Sequence, residues 1–322
     1  MSLRIEYLDD FRQRWMGIQP ADEARWPLDC TLLSGLRLGL RETPGFLHAS
    51  RPSLEEFETW ILERNGGAMD PGSLDRLRRA LAGELVESEV GNLEGVEGLS
   101  NDDLAHWDQH GYVVLKRAVS KESARAAEMA IYEHLGMNRD DPASWYGGEQ
   151  GHTIWVSLIR HPAFWANRRS PRIVKAFAQL WGREDLWVNV DQGGFNPPET
   201  PEWPFPGPHI HWDTTVAPPL HFGTQGILYL VDTPAEQGAF SCVPGFHKLL
   251  EGWLKELPEG ADARAEIKTQ FELEPIAAEA GDMVIWHQSL PHGSSPNRGT
   301  RPRVAQYMNM MPTRWDYNPE WK

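Results

Sequence analysis

The sequence predicts a mainly β fold with added helices, in the form of a double-stranded β-helix (jelly-roll) barrel. Three observations predict it: the helical patterns fall early in the chain, the strand patterns fall late, and several late segments alternate polar with apolar residues. Strands in series with helices packed outside them are typical of such barrels. We expect a helical N-terminal extension over residues 1–99 and a jelly-roll domain over residues 100–322.

The expected extension contains two helical patterns. Ser53 and Glu56 form a capping box that opens the first helix, and a second helix is predicted over residues 73–85. The acidic, glycine-containing segment 87–98 is typical of a linker. We expect this region to pack on the barrel or on a second copy of the chain in a homodimer, and it could also form part of the active-site wall.

Three further helices are predicted early in the second domain, each delimited by a capping residue or a glycine. The first runs from Ser100 to Gly111, the second from Ser120 to about residue 135, and the third from Ser170 to Gly182. A proline at the first position of the third helix supports its start, because the missing N–H is not needed there.

Strands are predicted where short apolar or alternating runs are bounded by turn residues. The alternation over residues 186–191 would place Asn189 and Asp191 on one face, directed into the barrel. The predicted strands are residues 112–115, 186–191, 226–232, 239–243, 271–276, 283–287 and 303–310, with a helix at 249–257.

Composition excludes several classes of protein. The net charge of −15 and the pI near 5.3 argue against a nucleic-acid-binding or anionic-membrane surface. The N-terminus has no apolar run typical of a signal peptide, and no segment reaches the ~18 apolar residues of a membrane span. We therefore expect a cytoplasmic protein. Cys30 and Cys242 are far apart and are expected to be reduced thiols.

Two segments carry the residues expected to bind a metal. In His211-Trp212-Asp213 the first and third side chains share one face of a strand, and His292 follows much later. Two imidazoles and one carboxylate occupy one face of an octahedral metal and leave positions open, which suits Fe(II) and O2. His209 is an alternative ligand, since His209 and His211 also form a close pair. The other histidines near these motifs are expected to be hydrogen-bonded wall residues: His221, His247 and His287.

Arg303 begins an alternating strand shortly after His292. A buried arginine on the inner face of a barrel can pair with a carboxylate through two parallel hydrogen bonds. A metal site beside such an anchor indicates a 2-oxo acid that chelates the metal. Arg298 and Arg301 could take the same role, but both fall in a turn, where solvent exposure is expected.

The order and spacing of these motifs resemble the phytanoyl-CoA dioxygenase family of Fe(II)/2-oxoglutarate oxygenases, over roughly residues 100–312. The resemblance implies that His211, Asp213 and His292 hold iron and that Arg303 pairs with the distal carboxylate of 2-oxoglutarate. The candidates for completing the co-substrate pocket are Ser294, Asn189, Asp191 and Gln225. The segments that carry the resemblance are 211–213, 226–232, 237–247 and 281–303.

The resemblance also implies the reaction. Related halogenating enzymes have a small residue where Asp213 stands, so the implied activity is oxidation of a C–H bond, most simply hydroxylation, with release of succinate and CO2. Two alternatives remain open: a cupin-like metalloenzyme that does not use 2-oxoglutarate, and a non-catalytic barrel that binds a small molecule. A carboxylate anchor at Arg303 has a purpose only if the co-substrate binds.

The substrate is expected to be a small molecule held among aromatic side chains, because ligand pockets are mostly apolar with a few polar groups. The segment 140–153 has little periodicity and is expected to form a loop over this pocket. The candidate pocket residues are Trp145, Tyr146, His152, Trp155, His209, Trp212 and Trp286.

Overall fold

The computed structural model describes residues 3–147 and 152–322, and the chain combines helices with antiparallel sheets. In the described part, helices contain more residues than strands, so the expected predominance of β structure gives way to a mixed architecture. Within these residues, no helix is long and apolar enough to cross a membrane. Both cysteines are free thiols, as expected.

The N-terminal extension is a helical unit with its own core. Ser53 accepts a hydrogen bond from the Glu56 N–H while the Glu56 carboxylate accepts one from the Ser53 N–H, which confirms the capping box. Phe11, Phe57 and Leu32 are buried at the centre of this core. The helices are α1 (Tyr7–Trp15), α2 (Trp26–Gly35), α3 (Glu42–Ser50), α4 (Leu54–Arg64) and α5 (Pro71–Leu81), with a 3₁₀ turn at Glu23–Arg25.

Helices α1, α2 and α3 were not predicted from the sequence. Within the described residues, the N-termini of these three helices have no side-chain cap, so the local pattern that marks a helix start is missing. Tertiary contacts replace it: Arg14 of α1 forms a buried ion pair with Asp29 of α2. Trp187 of the second domain is buried in the same core and therefore joins the two parts of the chain.

The helices predicted at residues 100–111, 120–135, 170–182 and 249–257 are present with bounds close to those expected, whereas two short helices at 162–168 and 263–270 were not predicted. Gly111 and Gly182 both adopt a left-handed conformation and end their helices, as their positions indicated. The helices are α6 (Asn101–His110), α7 (Lys121–Leu135), α8 (Pro162–Arg168), α9 (Pro171–Trp181), α10 (Phe246–Glu256) and α11 (Ala263–Gln270), with a 3₁₀ turn at Pro142–Tyr146.

The strands form three antiparallel sheets. The strands are β1 (Tyr112–Leu115), β2 (Trp155–Val156), β3 (Leu186–Val188), β4 (Gly193–Asn196), β5 (Thr224–Tyr229), β6 (Phe240–Cys242), β7 (Glu274–Pro275), β8 (Met283–His287), β9 (His292–Ser294), β10 (Arg303–Tyr307) and β11 (Met310–Pro312). The six-stranded sheet has the order β1-β8-β5-β10-β4-β2, the three-stranded sheet β7-β6-β9, and the two-stranded sheet β11-β3.

Side chains from the six-stranded and the three-stranded sheets share one core, in which Tyr229 of β5 and Phe240 of β6 are both buried. The predicted strand 303–310 is interrupted because the Asn309 N–H bonds to the side chain of Asn189, while the Asn189 N–H bonds to the Asn309 carbonyl. The same exchange ends the regular pairing of β3 before Asn189.

Candidate metal centre

His211, Asp213 and His292 form a compact group whose candidate ligand atoms all lie within 4.8 Å of one another. His211 and His292 are brought together by an isolated antiparallel bridge, in which each N–H donates to the other carbonyl at 2.9 Å. Nε2 of His211 lies 3.3 Å from Oδ1 of Asp213, and Nε2 of His292 lies 3.2 Å from Oδ2. These separations are close to the roughly 3 Å expected between adjacent ligands about 2 Å from one metal.

Backbone carbonyls fix the orientation of both imidazoles. Nδ1 of His211 donates to the carbonyl of His209 at 2.6 Å, and Nδ1 of His292 donates to the carbonyl of Leu290 at 3.0 Å. This leaves both Nε2 atoms directed at Asp213, as in metal sites where a second hydrogen bond sets the tautomer of the ligand. His209 therefore contributes its carbonyl to the site, while its ring packs edge-on against Phe205.

The electrostatics favour an ionised carboxylate at Asp213. Burial opposes ionisation, but the hydrogen bonds from His211 and His292 outweigh it and hold the pKa of Asp213 well below its ordinary value. Burial likewise favours a neutral His211, yet the hydrogen bond and charge of Asp213 raise the pKa of that imidazole. A divalent cation bound here would replace the proton in the hydrogen bonds between the imidazoles and Asp213.

Gln225 acts on the metal ligand. Its Nε2 donates to Oδ2 of Asp213 at 2.7 Å, and its Oε1 accepts from Nε1 of Trp286 at 3.0 Å. Gln225 and Trp286 lie opposite each other on paired strands β5 and β8, so the sheet register itself creates this contact. The sequence suggested Gln225 for the co-substrate pocket; it lines the cavity and also orients the carboxylate of Asp213.

Arg303 is fully buried, with 0% of its surface exposed, and it contacts the cavity through two of the lining residues, Ser294 and Tyr307. It donates from Nε to the Gly238 carbonyl at 3.1 Å, from one terminal nitrogen to the Tyr307 hydroxyl at 3.0 Å, and from the other to the Ser294 hydroxyl at 3.0 Å. Ser294 follows His292 by two residues on β9 and so projects from the same face. Among residues 3–147 and 152–322, no carboxylate lies at ion-pair distance from this guanidinium.

Tyr307 was not singled out from the sequence. It stands four residues after Arg303 on β10, and the two-residue alternation of a strand could have indicated that both share a face. The approach of the two side chains depends on Gly194 of β4. A Cβ there would lie 2.9 Å from the Tyr307 ring and 3.1 Å from Arg303.

A cavity of about 880 Å³ opens in front of the triad. Asn189 and Asp191 line it, and burial raises the pKa of the Asp191 carboxyl. The predicted residues that line this cavity are His211, Asp213, His292, Ser294, Asn189, Asp191, Gln225, Trp155 and Trp286.

Five predicted pocket residues lie elsewhere. Trp145 is buried in the core. Tyr146 and His152 both donate hydrogen bonds to carbonyls of the proline-rich segment 197–208. His209 contributes only its carbonyl, as described above. Trp212 is buried among apolar side chains and donates to the Ser289 carbonyl. Residues 148–151 of the expected loop lie outside the described residues.

The comparison with known families shows to which family the chain belongs. Residues 107–305 match the model of the phytanoyl-CoA dioxygenase (PhyH) family. The matched segment contains the triad, Ser294 and Arg303. The chain belongs to the phytanoyl-CoA dioxygenase family. The resemblance seen in the sequence is thereby confirmed, and the N-terminal extension lies outside the matched segment.

Relatives and solved structures agree with the family. A Dictyostelium discoideum protein that carries the family's name is 24% identical over a 260-residue alignment, covering 64% of this chain and 74% of that protein. Ava biosynthesis cluster protein O of Aspergillus versicolor is 24% identical over 242 residues, covering 64% and 76%. The crystal structure of SnoK, a non-heme α-ketoglutarate-dependent carbocyclase from nogalamycin biosynthesis, has a TM-score of 0.51 and 22% identity, covering 69% of this chain and 87% of SnoK. At this identity SnoK shows the likeness of fold alone.

Proposed function

We propose that this protein is a non-haem Fe(II)- and 2-oxoglutarate-dependent dioxygenase that hydroxylates an unactivated C–H bond of a small molecule. The observation that carries the proposal is Arg303: a fully buried guanidinium beside a His-Asp-His group, whose described partners are all neutral oxygens. A buried charge without a counter-charge is costly, and an anionic ligand would supply one. We also infer that the six-stranded and three-stranded sheets together form the jelly roll of this family.

The donor sets fit both iron and 2-oxoglutarate. Two imidazole nitrogens and one carboxylate suit Fe(II) and leave three coordination positions for ligands. His292 and Ser294 lie on one face of β9, so a diacid chelating at His292 could extend along the strand toward Ser294 and Arg303. A planar guanidinium favours two parallel hydrogen bonds to a carboxylate, and the hydroxyls of Ser294 and Tyr307 hold it in place for them.

The chain's own residues have distinct tasks in this reaction. Bound iron, with 2-oxoglutarate and O2, supplies an oxidation that converts the co-substrate to succinate and CO2. The carbonyls of His209 and Leu290 and the amide of Gln225 keep the three ligands in their orientation. The aromatic walls at Trp155 and Trp286 exclude water and orient the target carbon.

The proposal is tested by anaerobic optical titration of Fe(II)-loaded protein with 2-oxoglutarate, with His211→Ala as the control. We expect a visible metal-to-ligand charge-transfer band in the wild-type protein and no band in the variant. Formation of succinate after admission of O2, measured in parallel, reports turnover. An iron-loaded wild-type protein without the band would overturn the proposal and favour a metalloenzyme that does not use 2-oxoglutarate.

A further inference from the structure

The wall of the cavity is partly built by the N-terminal extension, outside the family-matched segment. The turn between α2 and α3 and the neighbouring residues, among them Leu33, Leu38, Leu40 and Arg41, line the cavity that contains the triad. The family match begins only at residue 107. This part of the wall therefore lies outside the region that the family has in common. It is where a substrate preference particular to this chain would be determined.

The α2–α3 turn is fixed against the second domain. Glu42 forms an ion pair with Arg160, and its carboxylate also accepts from the Gly39 N–H at 3.0 Å. Gly39 packs so closely that a Cβ would lie 2.9 Å from Ile159. The backbone that carries Arg41 is therefore held in a defined place at the edge of the cavity.

Arg41 is separated from the co-substrate anchor by two aromatic rings in contact. Its guanidinium lies 6.0 Å from the centroid of Trp155, and the Trp155 ring lies 4.8 Å from that of Tyr307. Tyr307 in turn accepts from Arg303. Trp155 thus forms a platform between the metal centre and a cation at the cavity edge, which is the arrangement expected for a flat or apolar ligand with a charged end.

Among the described residues, two arginines of this wall, Arg41 and Arg64, have no ion-pair partner. The Arg64 guanidinium lies 5.3 Å from the centroid of Trp60, so Arg41 is the one placed beside Trp155. Arg160 is paired with Glu42, and Arg168 lies near Asp191, donating to the Asp191 carbonyl at 2.7 Å. In the part of the chain that the structure describes, no carboxylate lies at ion-pair distance from Arg41, which is exposed and lines the cavity. Its charge interacts with that of Asp191 only at a longer distance.

We propose that Arg41 binds an anionic group of the substrate, a carboxylate, sulfonate or phosphate, while the apolar body of the substrate packs on Trp155. The inference rests on the proposed function, because it assigns the substrate of that same cavity. The volume of about 880 Å³ lies near the upper end for ligand pockets and leaves room for a bulky ring-bearing molecule beside 2-oxoglutarate. Arg41 is then a specificity-determining residue supplied by the extension.

The probes for the test are two dyes that differ in charge. 1-Anilinonaphthalene-8-sulfonate carries an anionic group, and N-phenyl-1-naphthylamine has the same rings without it. Both are titrated by fluorescence into the full-length protein loaded with Zn(II) and 2-oxoglutarate, so that Arg303 is already engaged. We expect the wild-type protein to bind the sulfonate more tightly, and Arg41→Gln to weaken its binding about tenfold while changing the neutral dye less than about twofold.

The matched control is Arg169→Gln, an exposed arginine outside the cavity, which should change neither dye. Equal binding of the two dyes by the wild-type protein, or an unchanged sulfonate affinity in Arg41→Gln, would overturn the inference. The charge-transfer band of the Fe(II) protein separates the two proposals. A band that persists in Arg41→Gln shows that the metal and co-substrate site is intact, whereas a wild-type protein without the band refutes the oxygenase and leaves the dye result to decide the role of Arg41.

Discussion

Replacement of Arg303 by glutamine tests the co-substrate anchor most directly. A guanidinium has five N–H donors, and three of them are used by Gly238, Tyr307 and Ser294, which leaves two for a carboxylate. Each hydrogen bond to a charged group contributes about 1.5–3 kcal/mol. Loss of two such bonds costs about 3 kcal/mol or more, which corresponds to a roughly 100-fold increase in the 2-oxoglutarate concentration needed for half-saturation.

The assay is the anaerobic charge-transfer titration, accompanied by metal analysis and a thermal unfolding curve for each protein. We expect Arg303→Gln to bind Fe(II) like the wild type, because the triad lies on other residues. Arg301→Gln is the matched control, since its side chain is 58% exposed and only two residues away. Equal loss of iron and 2-oxoglutarate, or the same shift in both variants, would refute the role assigned to Arg303.

Three further predictions concern residues around the site. Gln225→Leu removes the amide that orients Asp213 and should weaken metal affinity about tenfold, measured by chelator competition on the apoprotein. Gly194→Ala should raise the half-saturating 2-oxoglutarate concentration, because its Cβ would displace the Tyr307 and Arg303 side chains, whereas Gly45→Ala meets nothing and should be neutral. Burial, and to a smaller extent the charge of the neighbouring His247, lowers the pKa of His287 to about 4. The unfolded chain therefore binds a proton more readily, and the free energy of unfolding should fall as the pH drops from about 6.5 toward 4, by about 3 kcal/mol at most. His287→Asn, compared by urea unfolding at several pH values, should reduce this dependence.

Each of these predictions has a result that contradicts it. Unchanged metal affinity in Gln225→Leu would mean that Asp213 is oriented by the histidines alone. Equal effects of the two glycine substitutions would remove the steric argument at Gly194. A pH dependence of unfolding that is the same with and without His287 would show that other groups account for it.

The candidate metal-binding residues could be predicted from the sequence because His211 and Asp213 lie close together along the chain and His292 precedes a glycine and a serine in a short strand. The strand expected at residues 211–213 is not formed: His211 makes an isolated bridge to His292, and Asp213 lies in a bend. The structure brings all three together, and it buries Arg303 while Arg301 stays exposed, as the turn around residue 300 indicated. The two-residue period of a strand does hold for His292 and Ser294 on β9, which share one face.

The cavity walls could not be predicted in the same way because they depend on contacts between distant segments. Nothing in the pattern around Arg41 indicates that the ion pair between Glu42 and Arg160 would place it beside Trp155. Trp145 was chosen for its aromatic ring and its glycine-rich surroundings, yet its indole N–H bonds to Asn138 and the ring packs in the core. The residue type alone does not indicate whether a tryptophan side chain faces the cavity or the core.

The extension's position on the cavity affects how long the enzyme would last. A chain shortened to residues 107–305 would keep the three metal ligands and Arg303, but it would lose the α2–α3 turn that borders the substrate. An oxidant generated without a substrate in place reacts with nearby side chains, and the Trp286 ring of the cavity wall lies 5.1 Å from the His292 ring. We therefore expect a substrate held by both parts of the chain to protect this aromatic lining from oxidation as well.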